Sequence, residues 1–192
     1  MDWFTADPHL GHNNIIKFCN RPFKDVDHMG TVIIDNINER VQTTDRLYIL
    51  GDIGVKESYV QDFVRRVACK NIFVVPGNHD KEKILVRYFK VLPQCYMYRA
   101  SNEDYRIVLC HYAMRVWEHS HHGTGMLYGH SHGGLPPVPG APSFDIGVDC
   151  WQYKPLSLTE VKAEMKRLCA LAPAKIEHLH HHKDSSQTED FS

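Results

Sequence analysis

Short β-prone runs in this chain end abruptly in a polar or glycine-containing turn, and this pattern constrains the fold most strongly. The three earliest runs are Asp2–Ala6, Arg46–Leu50 and Asn71–Val75. The apolar spacing of Tyr59–Val67 predicts a helix between the second and third runs, which makes that stretch a β-α-β crossover with parallel strands. Because the carboxyl ends of parallel strands meet at one edge of a sheet, side chains in their turns come together there.

Further segments have the patterns of helices and strands. Apolar spacing predicts helices over Val26–Val41 and Lys81–Phe89. Ser157 and Glu160 have the spacing of a capping box, which would begin a last helix that ends near Leu168. Later strands are predicted over Val91–Tyr98, Arg106–Cys110, Met126–Tyr128 and Phe144–Val148, with a polar turn at 101–104 and a Gly/Pro-rich loop at 133–142.

Composition indicates one soluble domain. The 192 residues suit a single core, which we expect over 1–172, followed by a polar, histidine-containing, loose tail at 173–192. Hydrophobic residues make up 43% and charged residues 23%, the balance of a globular protein. We predict neither a bilayer-spanning segment nor a secretory signal. Six cysteines without metal-type spacing predict reduced core thiols and a cytoplasmic location: Cys19, Cys69, Cys95, Cys110, Cys150 and Cys169.

Seven oxygen and nitrogen donors follow or adjoin the predicted strand ends: Asp7, His9, Asp52, Asn78, His111, His130 and His132. This number of ligands suits two ions. A mixture of imidazole and carboxylate favours Mn, Fe, Zn or similar divalent ions over calcium or magnesium. One carboxylate can bridge two cations about 3.5–4 Å apart, and we assign that role to Asp52.

The order and separations of these residues resemble the calcineurin-like metallophosphoesterase superfamily, from the first strand to about Trp151. The matching blocks are Asp7-Pro8-His9, Gly51-Asp52, Gly77-Asn78-His79-Asp80, His111 and Gly129-His130-Ser131-His132. Three segments further resemble small single-domain bacterial and phage members: Gly11-His12-Asn13-Asn14-Ile15-Ile16, Asn20-Arg21-Pro22-Phe23 and Gly147-Val148-Asp149-Cys150-Trp151. We therefore expect an α/β fold, a four-layer αββα sandwich of two mixed sheets flanked by helices.

The resemblance also implies roles for individual residues. Asp7, His9 and His132 would hold one metal ion. Asn78, His111 and His130 would hold the other, and Asp52 would bind both. His79 would protonate the leaving alkoxide while Asp80 orients its imidazole. A metal-bridging hydroxide would attack phosphorus in line. The expected cofactors are two divalent metal ions, with Mn²⁺ preferred over Fe, Zn, Ni or Co.

Other polar and aromatic residues are secondary candidates. His12, Asn14, Arg21 and Arg115 could bind a phosphate, although surface or supporting roles fit them equally well. Trp117 and Trp151 are assigned to packing. Two histidine clusters are left outside the site: His119, His121 and His122 in a loop, and His178, His180, His181 and His182 in the tail.

These patterns predict a metal-dependent phosphoesterase acting on a small phosphoester, with nucleotides among the candidates. A phosphodiester is favoured over a phosphomonoester because no large cap is evident to enclose a monoester. The net charge of -1 provides no basic field for a long nucleic acid, which weighs against the alternative of a nuclease. A second alternative is a non-catalytic metal-binding scaffold for protein interactions, against which the complete ligand set and His79 argue. Neither a membrane partner nor a particular oligomeric state is predicted.

Overall fold

Two mixed β-sheets form the framework of the protein. The computed structural model describes residues 1–101 and 103–171. The strands there are β1 (Asp2–Thr5), β2 (Arg46–Leu50), β3 (Asn71–Val75), β4 (Lys90–Val91), β5 (Cys95–Arg99), β6 (Arg106–Cys110), β7 (Gly125–Tyr128), β8 (Ser143–Asp145) and β9 (Leu156–Ser157). The α-helices are α1 (Asn13–Phe18), α2 (Val26–Arg40), α3 (Glu57–Arg66), α4 (Glu82–Tyr88) and α5 (Leu158–Ala170), with 3-10 turns at Ser120–His122 and Val148–Cys150.

The sheet order accounts for where the polar turns meet. The first sheet has the order β4-β3-β2-β1-β9, in which only the β1–β9 pair is antiparallel. The second has the order β5-β6-β7-β8, in which only the β5–β6 pair is antiparallel. The prediction of an α/β fold with two mixed sheets and flanking helices is confirmed.

Alternating side chains divide the core into layers. Phe4 and Leu50 of the first sheet pack with Leu109 and Leu127 of the second, so a buried layer lies between the sheets. Helices α1 to α4 cover the other face of the first sheet, whereas α5 packs on the layer between the sheets. Met114 and Trp117 lie against the outer face of the second sheet, so the assignment of Trp117 to packing fits its position. This framework holds the strand ends in fixed positions.

Several element predictions agree with the structure to within a few residues. Strands β2, β3 and β6 have the predicted bounds, and α2 ends one residue early. Ser157 accepts a hydrogen bond from the Glu160 backbone while the Glu160 side chain accepts one from Ser157, which forms the predicted capping box. This reciprocal pairing satisfies amide groups that the first helical turn leaves without partners.

Two strand predictions were wrong. The segment Val91–Tyr98 is not one strand, because β4 belongs to the first sheet and β5 to the second. Pro93 lies between them, and proline cannot donate a ladder hydrogen bond. The predicted strand Phe144–Val148 ends at Asp145, whose carboxylate accepts a hydrogen bond from Gly147 N (2.7 Å) and turns the chain. Helix α1 and strand β9 were not predicted.

The cysteine prediction was partly wrong. All six are free thiols, but Cys95, Cys150 and Cys169 are exposed and therefore are not core residues.

Within the described residues no helix has the length and apolar character needed to cross a membrane. The predicted tail at 173–192, with its four histidines, lies outside the described residues.

Candidate metal centre

The seven proposed ligands lie in turns that follow strands of both sheets. The turns after β1, β2 and β3 carry Asp7, His9, Asp52 and Asn78, and those after β6 and β7 carry His111, His130 and His132. All five of these strands run parallel to a neighbour in their sheet, so their carboxyl ends share an edge. The candidate centre therefore joins the corresponding edges of the two sheets.

These side chains form two groups that could each hold a metal ion. The donor atoms of Asp7, His9 and His132 lie within 4.8 Å of one another, and so do those of Asp52, His111 and His130. Asn78 joins the second group because its Oδ1 lies 3.0 Å from Nε2 of His111. The structure thus brings all seven predicted ligands together.

One carboxylate oxygen connects the two groups. Asp52 Oδ2 lies 3.5 Å from His9 Nε2 and 3.5 Å from His111 Nε2. His9 belongs to the first group and His111 to the second. The other Asp52 oxygen accepts a hydrogen bond from His79 N at 2.9 Å, which fixes the carboxylate. Asp52 consequently lies where a shared ligand would lie.

The backbone at the centre adopts an uncommon conformation. Five of the seven proposed ligands have positive φ: Asp7 (57°), His9 (51°), Asp52 (54°), His130 (64°) and His132 (47°). Residues other than glycine rarely adopt this left-handed region. Each instance costs on the order of 1–3 kcal/mol, so it persists only where the surrounding structure imposes it. The hydrogen bond from His130 N to Asp7 Oδ2 (2.8 Å) is one such constraint. Concentration of strain in these turns indicates a functional site.

Two glycines allow the turns to approach each other closely. A Cβ atom at Gly77 would lie 2.3 Å from Asp52 Oδ1, and one at Gly129 would lie 2.6 Å from Asp7 Oδ2. Neither space can hold a methyl group without moving a carboxylate. These positions therefore require glycine because of contacts within the centre.

The unpaired polar atoms test whether a metal ion fits the site. Among the described residues, the buried side-chain atoms without a hydrogen-bond partner are Asp7 Oδ1, both ring nitrogens of His9 and Nδ1 of His12. A buried polar atom left unpaired costs about 1–3 kcal/mol, so such atoms need an explanation. Three of the four belong to proposed ligands of one ion. A cation bound there would satisfy lone pairs on Asp7 and His9, and the residues therefore fit a metal.

The ionisation of the site also fits a cation. Burial, followed by repulsion from Asp145 and Asp52, raises the pKa of Asp7 well above its usual value. Burial, followed by the charge of His132, lowers the pKa of His9 to about 2. His9 is therefore neutral and retains a lone pair for a metal, while the carboxylates of Asp145 and Asp52 repel that of Asp7. A divalent cation would offset this repulsion.

Arg21 has a different role from the one suggested by the sequence. Its side chain is fully buried, and all five N–H donors have protein partners. Two go to the Asp149 carboxylate (both 2.8 Å), and the others go to Asp7 O (2.9 Å), Pro8 O (3.0 Å) and Met29 Sδ (3.3 Å). Arg21 therefore has no donor left for a phosphate, and it supports the turn that carries Asp7.

Asp149 connects Arg21 to a proposed ligand. Asp149 Oδ2 lies 2.7 Å from His132 Nδ1, which leaves Nε2 of that ring available for a metal. Burial raises the pKa of Asp149, but hydrogen bonds from His132 and Arg21 lower it overall. Cys19 lies beside His132 and Asp149 in a third donor group, although the Arg21 fork already neutralises that carboxylate. A carboxylate that orients a ligand histidine is common at metal sites.

Asp149 and Asp145 were missed as site residues. Asp145 accepts hydrogen bonds from Ser131 Oγ and from Gly133 N (3.0 Å), and thereby braces the turn that carries the last two histidines. Each had a signal in the sequence, because Asp145 lies in the predicted strand Phe144–Val148 and Asp149 lies in the block 147–151. Neither signal shows that the residue supports a metal ligand, because that role depends on contacts that only the structure reveals.

The Asp80 prediction requires correction, whereas His79 lies at the centre. The Asp80 carboxylate accepts hydrogen bonds from the backbone N–H groups of Asp52 (2.8 Å), Ile53 (3.0 Å) and Gly77 (2.9 Å). It therefore ties two turns together and does not hold the imidazole of His79. The His79 side chain is exposed, and its ring centroid lies 5.3 Å from that of His9.

The remaining candidates differ in their distance from the centre. The His12 ring lies 5.4 Å from that of His9 and 5.6 Å from that of His79, so His12 adjoins the site. Asn14 and Arg115 are exposed, on α1 and in the loop after β6, and neither makes a side-chain hydrogen bond within the described residues. His119, His121 and His122 belong to neither donor group.

Replacement of Asp149 by asparagine is expected to weaken metal binding at the group that contains His132. Loss of a supporting carboxylate lowers metal affinity by about 10–100-fold. Titration of metal-free protein by isothermal calorimetry should show one weakened site and one unchanged site. Asp104→Asn, at a surface carboxylate, is the matched control. Equal affinities in wild type and Asp149→Asn would contradict the supporting role.

Comparison with known proteins finds a relative in sequence and a solved structure with a similar fold. No protein-family model matches the chain. The uncharacterized protein MJ1445 of Methanocaldococcus jannaschii is 30% identical over 165 residues, which cover 81% of this chain and 86% of the relative. The solved structure of AQ665 from Aquifex aeolicus, a protein of unknown function, is 23% identical with a TM-score of 0.66, covering 85% of this chain and 98% of that one. This likeness shows the fold alone.

A more distant likeness involves Yfce, a phosphoesterase from E. coli. Its structure is 17% identical with a TM-score of 0.46, and the match covers 76% of this chain and 77% of Yfce. That similarity is too slight to support a conclusion about activity. The ordered ligand motifs and the geometry of the two donor groups must therefore carry the functional interpretation.

Proposed function

We propose that this chain, which belongs to the family of the protein MJ1445 of Methanocaldococcus jannaschii, is a metallophosphoesterase of the calcineurin-like superfamily that its ligand motifs resemble, and that it hydrolyses phosphoesters with two divalent metal ions. The observation that carries the proposal is the position of Asp52, with one oxygen 3.5 Å from a histidine of each donor group. Two cations sharing a carboxylate suit displacement at phosphorus.

The proposed ligand sets follow the two donor groups. Asp7, His9 and His132 would hold one ion, and Asn78, His111 and His130 would hold the other, with Asp52 as a ligand that both could share. The two ions would activate the attacking water and neutralise charge on the phosphoryl oxygens. The chain's own contribution is to fix the ligands in strained turns, with Arg21 and Asp149 orienting the ring of His132.

His79 is the proposed general acid. Its ring is exposed beside His9 and His12, while its backbone N–H is anchored to Asp52 (2.9 Å). A substrate phosphate at the centre can thus meet the imidazole without displacement of a ligand. Transfer of a proton from His79 to the leaving oxygen would assist departure of a poor leaving group. Asp80 acts indirectly, by holding the turns after β2 and β3 together.

The substrate and the metals are proposed from the chemistry of the site. Imidazole with carboxylate suits Mn²⁺, with Fe, Zn, Ni or Co as alternatives. Asn78, His79 and His130 are exposed, and such an open centre supports a small phosphodiester in preference to a monoester. His12 remains a candidate phosphate ligand because its ring adjoins those of His9 and His79.

Metal-depleted protein is expected to regain hydrolysis when Mn²⁺ is added. The test measures turnover of generic phosphomonoesters and phosphodiesters, followed by a nucleotide panel, before and after chelation and with each metal. The expected result is metal-stimulated turnover that is faster on diesters. If no phosphoester showed metal-stimulated turnover, the proposed enzymatic function would be excluded. A non-catalytic metal-binding scaffold would then be favoured.

A further inference from the structure

An exposed tyrosine lies directly against the second donor group. Tyr112 follows His111 in the chain and is 44% exposed. Its ring centroid lies 4.9 Å from that of His111 and 4.9 Å from that of His130, with interplanar angles of 74° and 67°. One side of the Tyr112 ring therefore contacts two proposed ligands of the same ion, while much of the ring remains open to solvent.

Apart from these contacts with the two histidines, neither the packing of the core nor a hydrogen bond explains the position of the Tyr112 ring. The neighbouring core cluster includes Cys110 and Tyr128 but not Tyr112. Within the described residues, the Tyr112 hydroxyl forms no hydrogen bond. Aromatic rings that are half buried and half exposed are common where a ligand is bound, because they offer a large, rigid contact surface. A substituent on a phosphate bound at the ion of this group, which His111 and His130 would hold, would have this ring as its neighbour.

We propose that Tyr112 is a stacking platform for a planar aromatic group of the substrate, and that this group is a nucleobase. The inference rests on the proposed phosphoesterase function and narrows its substrate class to nucleotides. Stacking uses the flat face that every base possesses. Tyr112 therefore distinguishes a nucleotide from a phosphoester without a base, but it does not distinguish strongly between bases.

The experiment compares substrates that differ only in the base. One pair is adenosine 2′,3′-cyclic phosphate and its analogue with hydrogen in place of adenine. A second pair, adenosine 5′-phosphate and its base-free analogue, makes the same comparison for hydrolysis of a phosphomonoester. The variants are Tyr112→Phe, which keeps an aromatic face, and Tyr112→Leu, which keeps apolar contact with His130. Phe18→Leu, at an aromatic residue 76% exposed on α1, is the control.

Tyr112→Leu is expected to raise KM for the nucleotide about fivefold, the lower end of the loss measured when a stacking aromatic is removed. Its kinetics on the base-free substrate and its metal content should match wild type. Tyr112→Phe and Phe18→Leu should behave as wild type on both substrates. This pattern would separate a substrate contact from a role in positioning a ligand.

Three results would overturn the proposal. Wild-type protein that hydrolyses the base-free compounds as efficiently as the nucleotides has no base subsite. Equal losses on both members of a pair, with reduced metal content, would make Tyr112 a positioning residue for His130. Unchanged kinetics in Tyr112→Leu would show that the ring does not contact substrate. By contrast, no metal-stimulated turnover of any phosphoester by wild type contradicts the proposed function itself.

Discussion

Asp52→Asn is expected to remove almost all activity and to reduce metal binding at both donor groups. Asparagine retains the shape of the side chain but loses the negative charge and one acceptor oxygen. Asp52 Oδ2 faces His9 and His111, whereas Oδ1 accepts the His79 backbone N–H, so no orientation of an amide satisfies both sides. Loss of several kcal/mol of charge stabilisation corresponds to a fall in kcat/KM of about a thousandfold or more.

Two measurements check this expectation. Metal content by elemental analysis should fall from about two ions per chain in wild type, and turnover should be measured at saturating Mn²⁺. The matched control is Asp35→Asn, at an exposed carboxylate on α2, which should leave both quantities unchanged. Circular dichroism verifies that each variant folds. An Asp52→Asn protein with full metal content and full turnover would show that Asp52 is not a shared ligand.

His79→Gln is expected to lower kcat by about 10²–10⁴-fold on a substrate with an alkoxide leaving group. A glutamine side chain can donate a hydrogen bond but cannot transfer a proton at neutral pH. An aryl leaving group of low pKa needs no proton, so the same variant should lose far less activity on a nitrophenyl ester. Because His79 is not among the proposed ligands, the metal content should equal that of wild type.

The dependence on the leaving group distinguishes a general acid from a structural residue. A residue that only shapes the site would slow both kinds of substrate to the same extent. His122→Gln, in the loop between β6 and β7, serves as the control. If His79→Gln retained full activity on the substrate with the poor leaving group, His79 would be excluded as the general acid. The assignment of the metal ligands would not be affected.

The candidate site could be predicted from the sequence because its ligands follow a simple physical pattern. Each lies in a turn just after a β-prone run, and parallel strands bring such turns together at one edge. The positions of Asp7, Asp52 and His111 after β1, β2 and β6 follow from that pattern alone. Their joint contact also depends on how the two sheets pack together, for which the resemblance supplied the expectation of a sandwich of two mixed sheets.

The supporting contacts could not be predicted in the same way. Arg21 and Asp149 are 128 positions apart, and nothing local indicates that one neutralises the other. Asp80 follows His79 directly, yet its carboxylate turns towards the backbone of the β2 turn. Such pairings depend on how the turns fold back on one another, and a helical or alternating apolar pattern carries no information about them.

The same reasoning explains the errors in the fold. The continuous β-prone pattern of Val91–Tyr98 does not indicate that the chain changes sheets at Pro93. Helix α1 contributes a single buried residue, Ile15, so it has too short an apolar face for periodicity to reveal. Strand β9 has only two residues and is defined by its pairing with β1. Short elements depend on tertiary contacts more than on local sequence.

The most direct test of the two-metal assignment is an anomalous difference map from crystals grown with Mn²⁺. The account predicts two peaks about 3.5–4 Å apart, with Asp52 between them. One peak should be bound by Asp7, His9 and His132, and the other by Asn78, His111 and His130. A single peak at saturating metal, or peaks bound by other side chains, would contradict it.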